Sequence, residues 1–68
     1  MSENLQSAQN EFLEAFRAFE SADQQLVIAM SRGDRDAVGR LKPVWERAIE
    51  RYRRAQAEWE RCLEAPGP

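Results

Sequence analysis

The feature that most constrains this chain is a seven-residue repeat of apolar residues that runs along most of its length. Apolar residues recur at two heptad positions, a and d, in each half of the chain. The first half has Leu5, Phe12, Phe19 and Leu26 at a, with Ala8, Ala15, Ala22 and Ala29 at d. The second half has Val38, Trp45, Tyr52 and Trp59 at a, with Leu41, Ala48, Ala55 and Cys62 at d. A sustained a/d stripe is the seam of a coiled coil, so the repeat predicts an all-α protein.

The sizes of the seam residues predict how the two helices pair. Position a is large and position d is small in both halves, with Leu41 as the clear exception. In an antiparallel pair, an a residue of one helix shares a layer with a d residue of the other helix. Placing Phe12 opposite Ala55 then matches nearly every large side chain with a small one, which keeps the layer volume roughly constant. Because this register also puts the turn between Gly33 and Asp34, we predict an antiparallel, coiled-coil-like two-helix hairpin.

Glycine and proline residues mark where the predicted elements end. The hairpin is predicted over residues 1–65, with a first helix at about 3–31, a turn at 32–33, a second helix at about 34–65 and a tail at 66–68. Either Asp34 or Asp36 can cap the start of the second helix, because both have short acceptor side chains. Pro66 cannot continue a helix, so we expect the tail after it to be disordered.

Pro43 conflicts with a regular second helix. A proline inside a helix loses one hydrogen bond and clashes with the carbonyl group four residues earlier, which here belongs to Gly39. Either the helix is kinked near 39–43, or a short helix at 34–41 precedes the main one. The heptad continues through this segment without a skip, which favours the kink.

Composition excludes several classes of protein. The chain has 68 residues, one cysteine, no histidine and a net charge of −2. One small domain is the most that this length supports, and one cysteine cannot form an internal disulfide bond. No apolar run approaches the roughly 20 residues of a membrane span, and the polar, acidic N-terminus is unlike a secretion signal. We therefore expect a cytoplasmic protein with no membrane partner.

More apolar residues are present than one helix pair can bury. Eight large apolar residues lie outside positions a and d: Leu13, Phe16, Val27, Ile28, Met30, Val44, Ile49 and Leu63. Six of these form the predicted protein interface: Leu13, Phe16, Val27, Met30, Val44 and Ile49. Phe16 and Ile49 both occupy position e, so they should face each other on one flank of the hairpin. An exposed apolar patch of this kind marks an interaction surface. The simplest partner is a second copy, which would complete a two-fold symmetric four-helix bundle, and another protein is the alternative.

This plan is similar to that of the Rop family, small helical hairpins that dimerise into a bundle and bind paired RNA loops. The resemblance lies in the chain length and the layer pattern, and it carries no residue motif. It implies a homodimer and adds RNA as an alternative partner.

Basic residues on the second helix offer a surface for such a partner. An arginine row, Arg40, Arg47, Arg54 and Arg61, recurs every seven residues at position c. Such a row could follow the phosphates of a nucleic acid or bind an acidic protein. The other interpretation is that these arginines pair with acidic neighbours on the same helix, as Arg54 with Glu50 or Glu58, and Arg61 with Glu58. Because the first half has a net charge of −4 and the second a net charge of +2, we also expect an Asp23–Lys42 pair between the helices. Pairing among the chain's own charges favours a protein partner over nucleic acid.

The chain offers little for catalysis. Without histidine it lacks the usual general base near neutral pH, and Cys62 lies at a seam position where a packed thiol is expected. The glutamate pairs with helical spacing fall mainly on outer positions, where carboxylates are solvated. We therefore predict no catalytic, cofactor-binding or metal-ligating residues. The expected function is a non-enzymatic, self-associating interaction module, such as an adaptor, a chaperone-like partner or an inhibitor.

Overall fold

The computed structural model describes residues 2–64, which form two α-helices joined by a tight turn. Helix α1 spans Ser2–Ser31 and helix α2 spans Arg35–Glu64, with 30 residues in each. The two helices pack side by side and antiparallel, in a body of 54 × 14 × 13 Å. The hairpin predicted from the heptads is therefore confirmed. The predicted end of the hairpin at residue 65 and the predicted tail at 66–68 lie outside the described residues.

Gly33 ends α1 by adopting a left-handed backbone conformation with φ of 68°. The Gly33 amide donates to the Met30 carbonyl at 3.1 Å, and the Asp34 amide donates to the Ala29 carbonyl at 3.0 Å. These two bonds form a Schellman motif, which satisfies carbonyl groups that the end of a helix leaves unpaired. Glycine suits this position because it has no Cβ to clash in the left-handed region.

Asp34 also starts α2. Its Oδ1 accepts a hydrogen bond from the Ala37 amide at 3.1 Å, and its carbonyl accepts one from the Val38 amide at 3.0 Å. This is the geometry of a helix N-cap, which typically contributes about 1 kcal/mol. Of the two candidate caps, the structure therefore uses Asp34. Because one residue closes α1 and opens α2, the connection between the helices is short.

Pro43 lies inside α2, which continues from Arg35 to Glu64 without interruption. The alternative of a separate short helix at 34–41 is therefore wrong. Both Pro43 and Gly39 are exposed, on the side of α2 away from the seam. The seam residues before and after Pro43 continue to pack on α1, which keeps the helix intact despite the lost hydrogen bond.

Aromatic rings establish the register between the helices. The Phe12 ring lies between those of Tyr52 and Trp59, with centroid distances of 5.4 and 4.9 Å. One heptad closer to the turn, the Phe19 ring lies between those of Trp45 and Tyr52, at 6.1 and 5.6 Å. Phe12 is thus level with Ala55, which lies between Tyr52 and Trp59 in the sequence, and Phe19 is level with Ala48. The register predicted from the layer volumes is confirmed.

The buried core of the described chain consists of alanines alone. They are Ala8, Ala15, Ala22, Ala29 and Ala55, with exposures of 0 to 8%. Every d position of α1 belongs to this set, as the heptads predict. The aromatic residues at position a are half-buried, because two helices cover a large side chain from only two directions. Among residues 4–64, no large side chain is fully buried.

We expect Ala15→Leu to lower the free energy of unfolding by about 1–3 kcal/mol, because Ala15 is fully buried and the added atoms would displace a facing ring. Urea unfolding followed by circular dichroism, at one protein concentration, measures this change. The control is Ala57→Leu, since Ala57 is exposed on the outer side of α2 and should tolerate the same addition. Equal stability of the two variants would contradict the observed layers.

Candidate protein interaction surface

The hairpin has two flanks, one on each side of the seam. The g flank contains the g positions of both helices: Asn4, Glu11, Ala18, Gln25, Ala37, Val44, Arg51 and Glu58. The e flank contains the e positions: Gln9, Phe16, Asp23, Met30, Arg35, Lys42, Ile49, Gln56 and Leu63. In an antiparallel pair, e positions lie beside e positions and g positions beside g positions. The two flanks therefore offer different chemistry to a partner.

An ion pair between the helices occupies the g flank. Arg51 donates to both carboxylate oxygens of Glu11, from Nε at 2.8 Å and from Nη2 at 2.9 Å. The same Nη2 lies 3.7 Å from Glu14 Oε2. The hydrogen bond from Arg51 holds the pKa of Glu11 below its ordinary value, and the carboxylate raises the pKa of Arg51. This contact was not predicted, although the opposite net charges of the two halves indicated attraction between the helices.

Asp23 on the e flank does not form the ion pair that was predicted with Lys42. Instead, its Oδ1 accepts a hydrogen bond from Trp45 Nε1 at 3.0 Å. No Asp23–Lys42 contact within 4.0 Å occurs in the described part of the chain. The indole N–H lies in the part-buried seam, where it needs an acceptor, whereas the Lys42 side chain is exposed to water. The prediction was wrong because it considered only charged partners for Asp23.

The predicted interface residues are mostly exposed. Leu13 and Phe16 are 42% and 37% exposed, and Val27 and Met30 are 55% and 62% exposed. By their spacing these four lie on one outer stripe of α1, which combines the e positions with the neighbouring b positions. Ile49 is half-buried on the same flank. The structure therefore brings five of the six predicted interface residues to one side of the hairpin.

Val44 is the sixth predicted interface residue, and it lies apart from the others. It is 42% exposed at a g position, seven residues before Arg51, and so belongs to the g flank. One further exposed residue, Leu63, extends the e flank near the end of α2 and is 58% exposed. Leu63 was recognised as a surplus apolar residue in the sequence but was not included in the predicted interface.

An open groove runs along the outer stripe of α1. Its volume is about 700 Å³, and its lining includes Phe16, Phe19 and Val27. Glu20 and Asp23 lie in its middle section. The lining of the groove thus combines apolar side chains with two carboxylates.

The arginine row is solvent-exposed along α2, at all four of its positions. Arg40 Nε donates to the Asp36 carbonyl at 3.4 Å, and Arg61 forms an ion pair with Glu58. Of the three predicted pairs within α2, the Glu58–Arg61 pair forms. The pairs of Arg54 with Glu50 and with Glu58 do not form within 4.0 Å.

The remaining chemical groups add little to this surface. Cys62 is a free, half-buried thiol beside a shallow cavity of about 360 Å³. Among the side chains of residues 4–64, no group of three or more His, Cys, Asp or Glu is placed to hold a metal ion. Over the same residues, neither helix combines the length and the apolar character needed to cross a membrane.

Comparison with known proteins does not change this description. No protein-family model, no curated protein and no solved structure matches the chain. A functional assignment therefore depends on the surface itself.

The Glu11–Arg51 pair predicts how stability depends on pH. Since the pKa of Glu11 is lower in the folded state, its contribution is fully present above the ordinary value of 4.5 and is lost as the pH falls through the lowered value. Between pH 6 and pH 3, Glu11→Gln should therefore lose less free energy of unfolding than the wild type. The control is Glu60→Gln, which removes an exposed carboxylate on the outer side of α2. If Glu11→Gln kept the full pH dependence of the wild type, the pair would not contribute to stability.

Proposed function

We propose that this chain is a non-enzymatic helical module that acts by binding protein, and that its first partner is a second copy of itself. The observation that carries this proposal is the contrast between the core and the surface. The core of the described hairpin buries only alanines, while large apolar side chains on the outer stripe of α1 are 37 to 62% exposed. A role as an adaptor, a chaperone-like partner or an inhibitor fits such a module.

The free energy available from burying these side chains supports the need for a partner. Complete burial of a Val, Leu, Phe or Met side chain contributes about 1.5–3 kcal/mol relative to full exposure. Leu13, Phe16, Val27 and Met30 forgo a substantial part of this contribution in the isolated hairpin. Chains of this size rarely supply more than about 3–5 kcal/mol from one core, so association is a common way to reach stable folding.

The shape of the hairpin suits association with a second hairpin. Its cross-section of 14 × 13 Å is that of one helix pair, and its length of 54 Å provides a long flank. Two hairpins stacked through their e flanks would form a four-helix bundle and cover the outer stripe of α1. The g flank, with its Glu11–Arg51 pair, would stay at the edge in contact with water.

We expect light scattering at low micromolar concentration to give about 16 kDa, which is twice the chain mass of 7.9 kDa. High salt should leave this mass unchanged, because burial of apolar surface dominates the association. Phe16→Glu should shift the mass to that of one chain while circular dichroism still shows helix. Ala57→Glu introduces the same charge on the outer side of α2 and should leave the dimer intact. A wild-type mass of one chain would contradict self-association and would direct the search to another protein.

A regulator that binds RNA is the second candidate, and the exposed arginine row favours it. Three heptads separate Arg40 from Arg61, so the row extends over about 32 Å of helix. This length is sufficient to meet several phosphates. The similarity in plan to the Rop family makes paired RNA loops the appropriate probe.

If the arginine row binds RNA, the affinity for fluorescently labelled paired RNA loops should fall steeply between about 50 and 200 mM salt. The double variant Arg47→Gln/Arg54→Gln should weaken binding and reduce the salt slope by about two. The control, Arg17→Gln/Arg32→Gln, removes the same charge elsewhere. Absence of binding at 50 mM salt, or equal effects of the two double variants, would exclude this role for the row.

A further inference from the structure

We propose that two copies of this chain associate with both turns at the same end, so that α1 of each copy packs on α2 of its partner. In this arrangement Asp23 of one copy pairs with Lys42 of the other. The inference rests on the self-association proposed above and specifies its geometry. Charge complementarity along the e flank is the observation that supports it.

The e flank has a fixed order of chemical groups along its length. On α1, toward the turn, the order is Gln9, Phe16, Asp23 and Met30. On α2, at the corresponding levels of the observed register, the order is Gln56, Ile49, Lys42 and Arg35. The levels therefore hold two amides, then two apolar side chains, then an acid and a base, and then a methionine beside an arginine. The e residues of α1 are therefore complementary in chemistry to those of α2, and neither set is complementary to itself.

Association with the turns at the same end brings these matched columns into contact. A two-fold axis along the hairpin leaves every residue at its own level and stacks α1 of one copy on α2 of the other, in antiparallel directions. Phe16 then meets the partner's Ile49, and Gln9 meets the partner's Gln56. Asp23 meets the partner's Lys42, and the symmetry forms each contact twice.

Association with the turns at opposite ends would bring α1 against α1. The first half of the chain has a net charge of −4, and its one basic residue, Arg17, lies on the outer side of α1. Glu20 and Asp23 lie in the middle of the exposed groove, so they would enter this interface without a cation from the facing helix. Aligning Phe16 with the partner's Met30 would place Asp23 directly against its own copy. Unpaired carboxylates in an apolar interface disfavour this arrangement.

The side chains of the proposed ion pair are free to form it. Asp23 uses Oδ1 to accept from Trp45, and a carboxylate has further lone pairs on Oδ2 for a second donor. Lys42 is exposed and forms no ion pair within 4.0 Å in the described hairpin. At the rim, Glu20 lies level with the partner's Glu46. Lys42 lies one turn before Glu46 on α2, so its ammonium group is also close to these two glutamates.

A mixing experiment tests whether the ion pair forms between chains. Asp23→Lys alone and Lys42→Asp alone should each weaken dimerisation about tenfold or more, because each variant faces like charge across the interface. A one-to-one mixture should restore the wild-type dimer, since each chain then supplies the charge that the other lacks. Sedimentation equilibrium measures the dissociation constants, and circular dichroism checks the helix content of Asp23→Lys, which loses the acceptor of Trp45.

Matched controls come from the outer side of the hairpin. Arg17→Glu lowers the net charge by two units, as Lys42→Asp does, and Glu50→Lys raises it by two units, as Asp23→Lys does. Both residues occupy f positions at the same level of the hairpin. Each control variant alone should dimerise like the wild type, and mixing the two should give no gain. A gain of the same size in the controls would show that net charge, not the e flank, determines pairing.

A distance measurement distinguishes the two orientations without altering Asp23. In the variant Cys62→Ser, a spin label at Arg32→Cys marks the turn. Turns at the same end place the two labels about 10–25 Å apart, given helix spacings of 8–10 Å. Turns at opposite ends place them about 45 Å apart, which is the length of a 30-residue helix.

The outcomes separate this inference from the proposal on which it rests. A single-chain mass for the wild type overturns self-association itself. A two-chain mass with a long distance between labels, or with no rescue on mixing, overturns the orientation and leaves the dimer standing. A two-chain mass with a short distance and rescue by mixing establishes both.

Discussion

The hairpin depends on one repeated contact between the helices. An aromatic ring of α1 lies level with an alanine of α2, and two aromatic rings of α2 lie on either side of it. The rings of Trp59, Phe12, Tyr52, Phe19 and Trp45 alternate between α2 and α1 in this way, with successive centroids 4.9 to 6.1 Å apart. Each ring pair contributes about 0.5–1.5 kcal/mol beyond the area it buries. The alanines allow the helices to approach closely enough for the rings to stack. A shift of register by one heptad would keep rings beside alanines but would force a longer connection at the turn.

The same contact limits what one hairpin can bury. Two helices enclose a seam from two sides, so the alanines are buried and the rings keep one exposed edge. The large side chains on the outer stripe of α1 stay 37 to 62% exposed, which is why self-association through this side is the proposed function. The opposite net charges of the two helices act both within one hairpin and, as we propose, between copies. Within the hairpin they produce the Glu11–Arg51 pair, and between copies we propose that they select the orientation. Because exposed ion pairs contribute little to stability, the role we propose for those between copies is to select the orientation.

Local signals predicted the helix ends that meet at the turn well and the partners of polar side chains poorly. Gly33 followed by Asp34 indicated a helix end and a helix start, because a left-handed glycine and a short acceptor side chain have these roles in isolation. For Asp23, charge and spacing indicated Lys42, whereas the structure pairs it with the indole of Trp45. A part-buried N–H requires an acceptor more strongly than an exposed ammonium requires a counter-ion. The degree of burial that decides between them is not visible in the spacing of residues.

The amino-acid sequence by itself determined the helices, their antiparallel pairing, the register and the position of the turn. These follow from heptad periodicity and side-chain volume, which can be counted along the chain and compared between its halves. The tertiary structure decided that α2 continues through Pro43, that Asp34 is the cap and that Arg51 binds Glu11. Each of these depends on the reach and burial of particular side chains across the seam, and those are fixed only when the two helices are in contact.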